Sequence, residues 1–273
     1  SHKIHYIKNF ELNLNSFLLS VDFFSNFVCE AHLCHGIQVS PTEMVGSRRV
    51  FIFEIKFLIM ERSVVYFCPR INADNLVRVY KALGREAKGR VAAKLSTGEA
   101  GNPNHLSTDV IKKLIKLTDA VIVECNTAYE GKRCNAADHL QTAAEHGFTA
   151  IAEVDIMDAD GEIALPVSNG KHLKENYVGK NWRNYDFTMV LSHFKGHPMG
   201  GFGGALKNVA IGMASSAGKA WIHTAGKSKD VPVDWENVPP QEDFLESMAE
   251  ACESVFNVAG NNILYTLVSL KKC

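Results

Sequence analysis

The chain has 273 residues, 46% hydrophobic and 22% charged, a globular composition with enough length to bury a core. Its 29 Lys and Arg nearly balance 30 Asp and Glu, so it lacks the basic surface that nucleic-acid phosphates require, which argues against nucleic acid as a partner. The seven cysteines are odd in number, form no C-x-x-C and follow no recognisable signal peptide, so a reduced, cytoplasmic protein is expected rather than a disulfide framework.

Residues 1–59 read as an atypical N-terminal extension. Their apolar patches, Phe17–Cys29 and Phe51–Ile59, are too short to span a bilayer, and no membrane partner is expected. The run from Cys29 to His35 holds four Cys and His side chains, but its spacing fits no common zinc site. Met60 reads like a natural start, and residues 60–273 read as one α/β domain. Ser63–Phe67, rich in β-branched and aromatic residues, is expected to be a strand. Asn72–Leu83 carries apolar residues at helical spacing and stops at Gly84. Arg90–Leu95 is the next strand. Ser107 caps a helix running to Leu117, Ala120–Glu124 is a strand, and Asn135–His146 is a helix closed by Gly147. Ala150–Val154 and Phe187–Leu191 are further strands. A glycine-rich loop then leads into a helix from about Lys207, followed by a helix over Gln241–Phe256 and a strand over Asn262–Val268. Short apolar strands alternating with helices give a mostly parallel sheet flanked by helices on both faces. A core-like strand so near the last residue gives the expectation that the natural domain continues beyond Cys273.

In such sheets ligands sit beyond the carboxyl ends of the strands. The richest loop there is Ser192–Lys207, with two histidines, two lysines and five glycines in sixteen residues. Glycines let a backbone approach a ligand closely, and successive N–H groups before a helix make an anion nest. A small-molecule or anionic ligand is the expected partner; the oligomeric state is left open. His193 and His197 are candidate acid, base or metal ligands. Lys207 opens a helix, where a cation opposes the dipole unless it meets an anion or is used covalently. His223 is expected to return to the same edge. Glu99, Glu124, Lys132 and Arg133 are candidate groups for binding a charged substrate. Cys125 reads as a buried thiol, Asp155–Glu162 as a solvated turn, and His105, His139, His146 and His172 as structural.

Several strings carry a resemblance. They are Lys94-Leu-Ser-Thr-Gly-Glu99, Val123-Glu-Cys-Asn-Thr-Ala-Tyr129, Ala152-Glu-Val-Asp-Ile-Met-Asp158, Gly170-Lys-His-Leu-Lys-Glu175 and the run from Ser192 to Asn208. Over about residues 60–268 the chain resembles the domain-of-unknown-function family 362. Many members carry a ferredoxin-type segment, which implies an iron–sulfur (4Fe-4S) redox function that depends on a cysteine-rich segment this chain lacks. The run from His197 to Lys207 is also similar to the central motif of the nickel-pincer lactate racemases. That likeness implies Lys207 as the cofactor lysine, His197 as a catalytic base and His223 as the nickel ligand. It implies Lys94, Ser96 and Thr97 as the phosphate loop, and Gly200, Gly201, Gly203 and Gly204 as the cofactor loop. The racemases place a second catalytic histidine where this chain has Tyr129, so Tyr129 would have to replace it as a catalytic residue, and the arginine of their phosphate loop is missing. Three readings stand: proton or hydride transfer on a small hydroxy acid with a nickel-pincer nucleotide, an iron–sulfur redox module, or a non-catalytic anion-binding domain.

Overall fold

In a computed structural model the described residues are 65–269, with the backbone of the strand pair β1 (Met44–Val45) and β2 (Arg48–Arg49). The chain divides into two compact units, Ser1–Phe67 and Cys68–Cys273. The run Cys29–His35 lies outside the described residues, as do Ser63 and Val64; residues 65–67 are not in a strand.

The second unit is built on α1 (Ala73–Ala82), β3 (Val91–Lys94), α2 (Thr108–Thr118), β4 (Val121–Glu124), α3 (Ala136–Glu145) and β5 (Val154–Ile156). A hairpin follows, β6 (Glu162–Pro166) and β7 (Glu175–Gly179). Then come β8 (Phe187–His193), a small hairpin of β9 (Lys195–His197) and β10 (Gly201–Gly203), α4 (Ala205–Met213), α5 (Ser216–His223), α6 (Gln241–Ala259) and β11 (Ile263–Val268). Side-chain oxygens start three helices as local chemistry dictates: Asn72, Ser107 and Asn135 accept from N–H groups of the first turns of α1, α2 and α3.

The main sheet has the order β11-β8-β3-β4-β5, every pair parallel. Because side chains alternate along a strand, β3 feeds two cores. Ala92 joins Val123, Val190, Val209, Met213, Ile222 and Phe244 on the face covered by α4, α5 and α6. Val91 and Ala93 join Ile122, Met189, Leu76, Ile111 and Ala143 on the face covered by α1, α2 and α3. The expected α/β architecture, helices on both faces, is therefore present. Among the described residues no helix is long and apolar enough to cross a membrane.

Two elements are placed differently from expectation. The strand expected at Ala150–Val154 is displaced to Val154–Ile156, because Gly147 (φ +80°) turns the chain into a short 3-10 turn over Phe148–Ala150 that buries Phe148. The glycine-rich loop folds into the β9–β10 hairpin, and α4 begins at Ala205, two residues before Lys207.

Candidate functional site

Three neighbouring strands end on reactive side chains: Lys94 closes β3, Glu124 closes β4 and His193 closes β8. All three line a cavity of about 520 Å³ beyond the carboxyl ends of the sheet. The same cavity is lined by Ser96, Tyr129, Arg133, Lys195, His197, Gly203, Gly204, Lys207, Lys219 and His223. The fold thus gathers His193, His197, Tyr129, Lys94, Ser96, Lys207 and His223 around one space. Gly200 and Gly201 do not line it; they turn the hairpin, with Gly201 at φ +69°. Thr97 does not line it either. It is buried beneath the wall, where its N–H (2.8 Å) and its hydroxyl (2.6 Å) both donate to Glu124. Lys132 is exposed and outside the cavity lining.

The wall is an ion-pair network. Glu124, only 5% exposed, accepts from Arg133 Nη1 at 3.1 Å and faces His139 Nε2 at 3.2 Å. Arg133 also pairs with Glu99, and donates to Tyr129 Oη at 3.0 Å. Burial alone would raise the Glu124 carboxyl, but Arg133, the His139 hydrogen bond and Lys94 outweigh it and hold the group well below the usual carboxylate range. Tyr129 donates its hydroxyl to Glu99. Burial and that carboxylate push its phenol up to about 12 against the pull of Arg133, which is poor preparation for a base at neutral pH. Cys125 is buried, donates to Met213 O and has its thiol pushed up to about 12 by burial, as a structural cysteine should. Asp158 accepts from the N–H groups of Asn126 and Ser216, so the acidic stretch expected to be a solvated turn also ties loops together and caps α5.

Lys94 has no exposed surface. Its amine donates to Leu95 O (2.8 Å) and Asn208 Oδ1 (2.9 Å), and burial lowers its pKa to about 8. Lys219 donates to Ala214 O. Lys207, in the first turn of α4, has no hydrogen-bond or ion-pair partner among the described residues. Burial first, then Lys195, Lys219, Lys94 and Arg133, lower it to about 8.

The histidines divide by tautomer. His197 Nδ1 accepts the Gly200 N–H at 3.0 Å, so its proton sits on Nε2 and the ring is a hydrogen-bond donor. His223 Nδ1 donates to Lys219 O at 2.7 Å, which leaves the Nε2 lone pair for a proton or a metal. The ring is clamped by Phe244, stacked at 4.8 Å, and by the edge of Trp235. Both rings are held neutral with pKa values lowered to about 4, by burial first and then by Lys207 among the neighbouring charges; for His223 the Lys219 carbonyl opposes this. His105, expected to be structural, also lines the cavity. Its position gave no local signal, since it lies in a loop with no helical or strand period.

Among the described residues, one group of three side chains brings metal-ligand atoms within 4.8 Å: His172, Asp243 and Glu246, outside the cavity. Lys171 and His172 each already hold Glu246 at 2.6 Å, so that carboxylate is paired. The described cysteines form no such group.

The sequence model described as Domain of unknown function (DUF362) matches residues 91–270, the whole of the main sheet and the cavity residues. The chain belongs to the DUF362 family. Solved structures similar to this DUF362 chain include the lactate racemase apoprotein from Thermoanaerobacterium thermosaccharolyticum, 15% identical, covering 73% of this chain and 49% of that one at a TM-score of 0.42. A Thermotoga maritima protein is 14% identical, covering 71% and 50% at a TM-score of 0.40. The DUF362 chain thus spans about half the length of either. No curated protein matches it.

Proposed function

We propose that the cavity binds a small anionic hydroxy acid and supports proton transfer on it, with Lys207 as the group that meets the ligand or carries a cofactor. The observation that carries this reading is the Lys207 amine. It lines the cavity at a helix N-terminus, among four other cations, with no protein partner among the described residues. An ammonium so placed is costly unless an anion or a covalent bond relieves it. A carboxylate at Lys207 lies among imidazoles of both kinds: His197 gives its Nε2–H to an oxygen, and His223 offers a lone pair. Tyr129, tied to Glu99 and Arg133, positions the wall and accepts no proton.

The residues also fit a nickel-pincer nucleotide. Lys207 would hold the group covalently, and His223 would meet its metal through Nε2, its Nδ1–H being fixed on a carbonyl. Among the described residues the cavity has no three-ligand set of its own, so the remaining ligands would come from the bound group. When bound, such a group supplies a metal centre and a hydride acceptor. His197 would then donate to an oxygen of the acid, beside the wall of Glu99, Arg133 and Tyr129.

Intact mass and metal analysis of anaerobically purified protein test the reading. The expected result is binding of 2-hydroxypropanoate in the unsubstituted protein and its loss in Lys207→Ala, with any mass adduct or nickel lost in the same variant. A Lys207→Ala protein that binds the acid as before would sink it.

A further inference from the structure

We infer that His105 reads the hydroxyl of the bound acid: its Nε2 accepts the hydrogen bond from the 2-hydroxyl group. This rests on the hydroxy-acid reading above. It names a residue that neither the glycine-rich motif nor the strand ends single out.

The loop between β3 and α2 is built to present this imidazole. Gly98, at φ +83°, lets the loop fold so closely on itself that a Cβ there would sit 2.7 Å from the Cβ of His105. Asn102 donates its N–H to Glu99 O at 2.9 Å, closing the turn. Its carbonyl then faces His105 Nδ1 at 3.2 Å. A carbonyl only accepts, so the ring proton is on Nδ1 and Nε2 carries a lone pair. One ring face stacks on His146 at 4.1 Å and 9°, and Phe148 meets the ring at 5.6 Å. His146 is in turn fixed by donating Nδ1–H to Thr97 O at 2.6 Å. The ring is therefore held by its other nitrogen and by its face, while Nε2 has no partner among the described residues and the residue lines the cavity. Burial first, and His146 after it, lower its pKa against the pull of the Asn102 carbonyl, so the ring is a neutral acceptor.

The other histidines with a fixed tautomer, and Tyr129, leave this task open. An O–H must donate, and His197 presents an N–H instead. Tyr129 has spent its own hydroxyl on Glu99, and Arg133 donates to its oxygen. The lone pair of His223 lies beside Lys207, where the carboxylate is held. His105 is a second, separately supported acceptor, and its neighbour His193 has no bond among the described residues that fixes a tautomer.

The test compares two probes on the full chain by calorimetry: 2-hydroxypropanoate and propanoate, which differ by the hydroxyl alone. The unsubstituted protein is expected to prefer the hydroxy acid by about fivefold to tenfold, the scale of one net hydrogen bond. His105→Phe keeps a flat ring on His146 and is expected to erase that preference while binding propanoate as before. If the variant fails to fold, nitrogen NMR of the unsubstituted protein decides. His105 Nε2 should be unprotonated and should shift with 2-hydroxypropanoate but not with propanoate. A preference that survives in His105→Phe, or a protonated Nε2, overturns the assignment and leaves the hydroxy-acid reading standing. No preference, or no binding, in the unsubstituted protein overturns that reading and the assignment with it.

Discussion

Glu124 shows how much one buried side chain carries. Its carboxylate neutralises Arg133, accepts from both the N–H and the hydroxyl of Thr97 and faces His139. Glu124→Ala would leave a buried guanidinium without that counter-charge, and urea unfolding should read a loss of about 3–5 kcal/mol. The pH dependence has a definite sign. The folded carboxyl titrates well below its ordinary 4.5, so its contribution is complete above about 4.5 and fades as pH falls toward the folded value. Glu124→Gln should lose that acid-limb slope. The ammonium groups set the opposite limb of binding. Burial lowers Lys94 and Lys207 to about 8, so the affinity for 2-hydroxypropanoate should hold steady below that pH and fall above it, as calorimetry across the range would read. At this scale the sequence was legible where chemistry clustered locally, as at His197, Lys207 and His223. It read His105 as structural and did not place it at the cavity, because a loop histidine acquires its tautomer from Asn102 and its stacking from His146, a partner 41 positions away. It misplaced Thr97, which the racemase likeness put in the phosphate loop but whose hydroxyl faces a carboxylate on the next strand rather than the cavity.

Helices α4 and α5 bring their lysines and His223 to the sheet by close approach, and two glycines separate what can give from what cannot. On α5, a Cβ at Gly218 would lie 2.0 Å from the backbone oxygen of Tyr177 on β7. Backbone cannot yield, so Gly218→Ala should lower the melting temperature sharply despite alanine's helical advantage of about 1 kcal/mol. On α4, a Cβ at Gly212 would lie 2.6 Å from the Lys94 amine, the far end of a flexible chain. Gly212→Ala should therefore stay folded while displacing Lys94 from Leu95 and Asn208, and weaken anion binding; thermal melts and calorimetry on the pair separate the two outcomes. The elements themselves were legible from period and caps: α1, α2 and α3 start where Asn72, Ser107 and Asn135 say. The β6–β7 hairpin was not. Its strands, Glu162–Pro166 and Glu175–Gly179, mix charge, proline and glycine, and owe their pairing to α5 and α6 packed against them rather than to an apolar run. The β9–β10 hairpin was hidden for a related reason, since four of the six residues of its strands are Gly or Lys and none is β-branched.

The second unit as a whole gathers positive charge around one cavity, and burial makes that charge expensive at Lys94, Lys207, Lys219 and Arg133. Lys94, Lys195, Lys207, Lys219 and Arg133 line one cavity against two carboxylates, Glu99 and Glu124, that Arg133 already engages. On the proposed reading, such an arrangement trades stability of the free protein for ligand binding. Lys207→Met keeps the length of the side chain and removes the charge, so it should melt a few degrees higher than the unsubstituted protein at neutral pH. The sign of the pH effect follows from the lowered pKa. Between about 8, where folded Lys207 loses its proton, and 10.5, where the unfolded chain does, the unfolded state binds more protons. Stability of the unsubstituted protein rises with pH across that window. The advantage of Lys207→Met should accordingly be largest below pH 8 and shrink as the pH climbs through the window. An anion that binds only the folded state raises the melting temperature by mass action. Adding 2-hydroxypropanoate should therefore close the gap from the other side, stabilising the unsubstituted protein and leaving Lys207→Met where it was. A variant no more stable than its parent at neutral pH would mean that the repulsion is already relieved within the protein, and that the cavity holds no unmet demand for an anion.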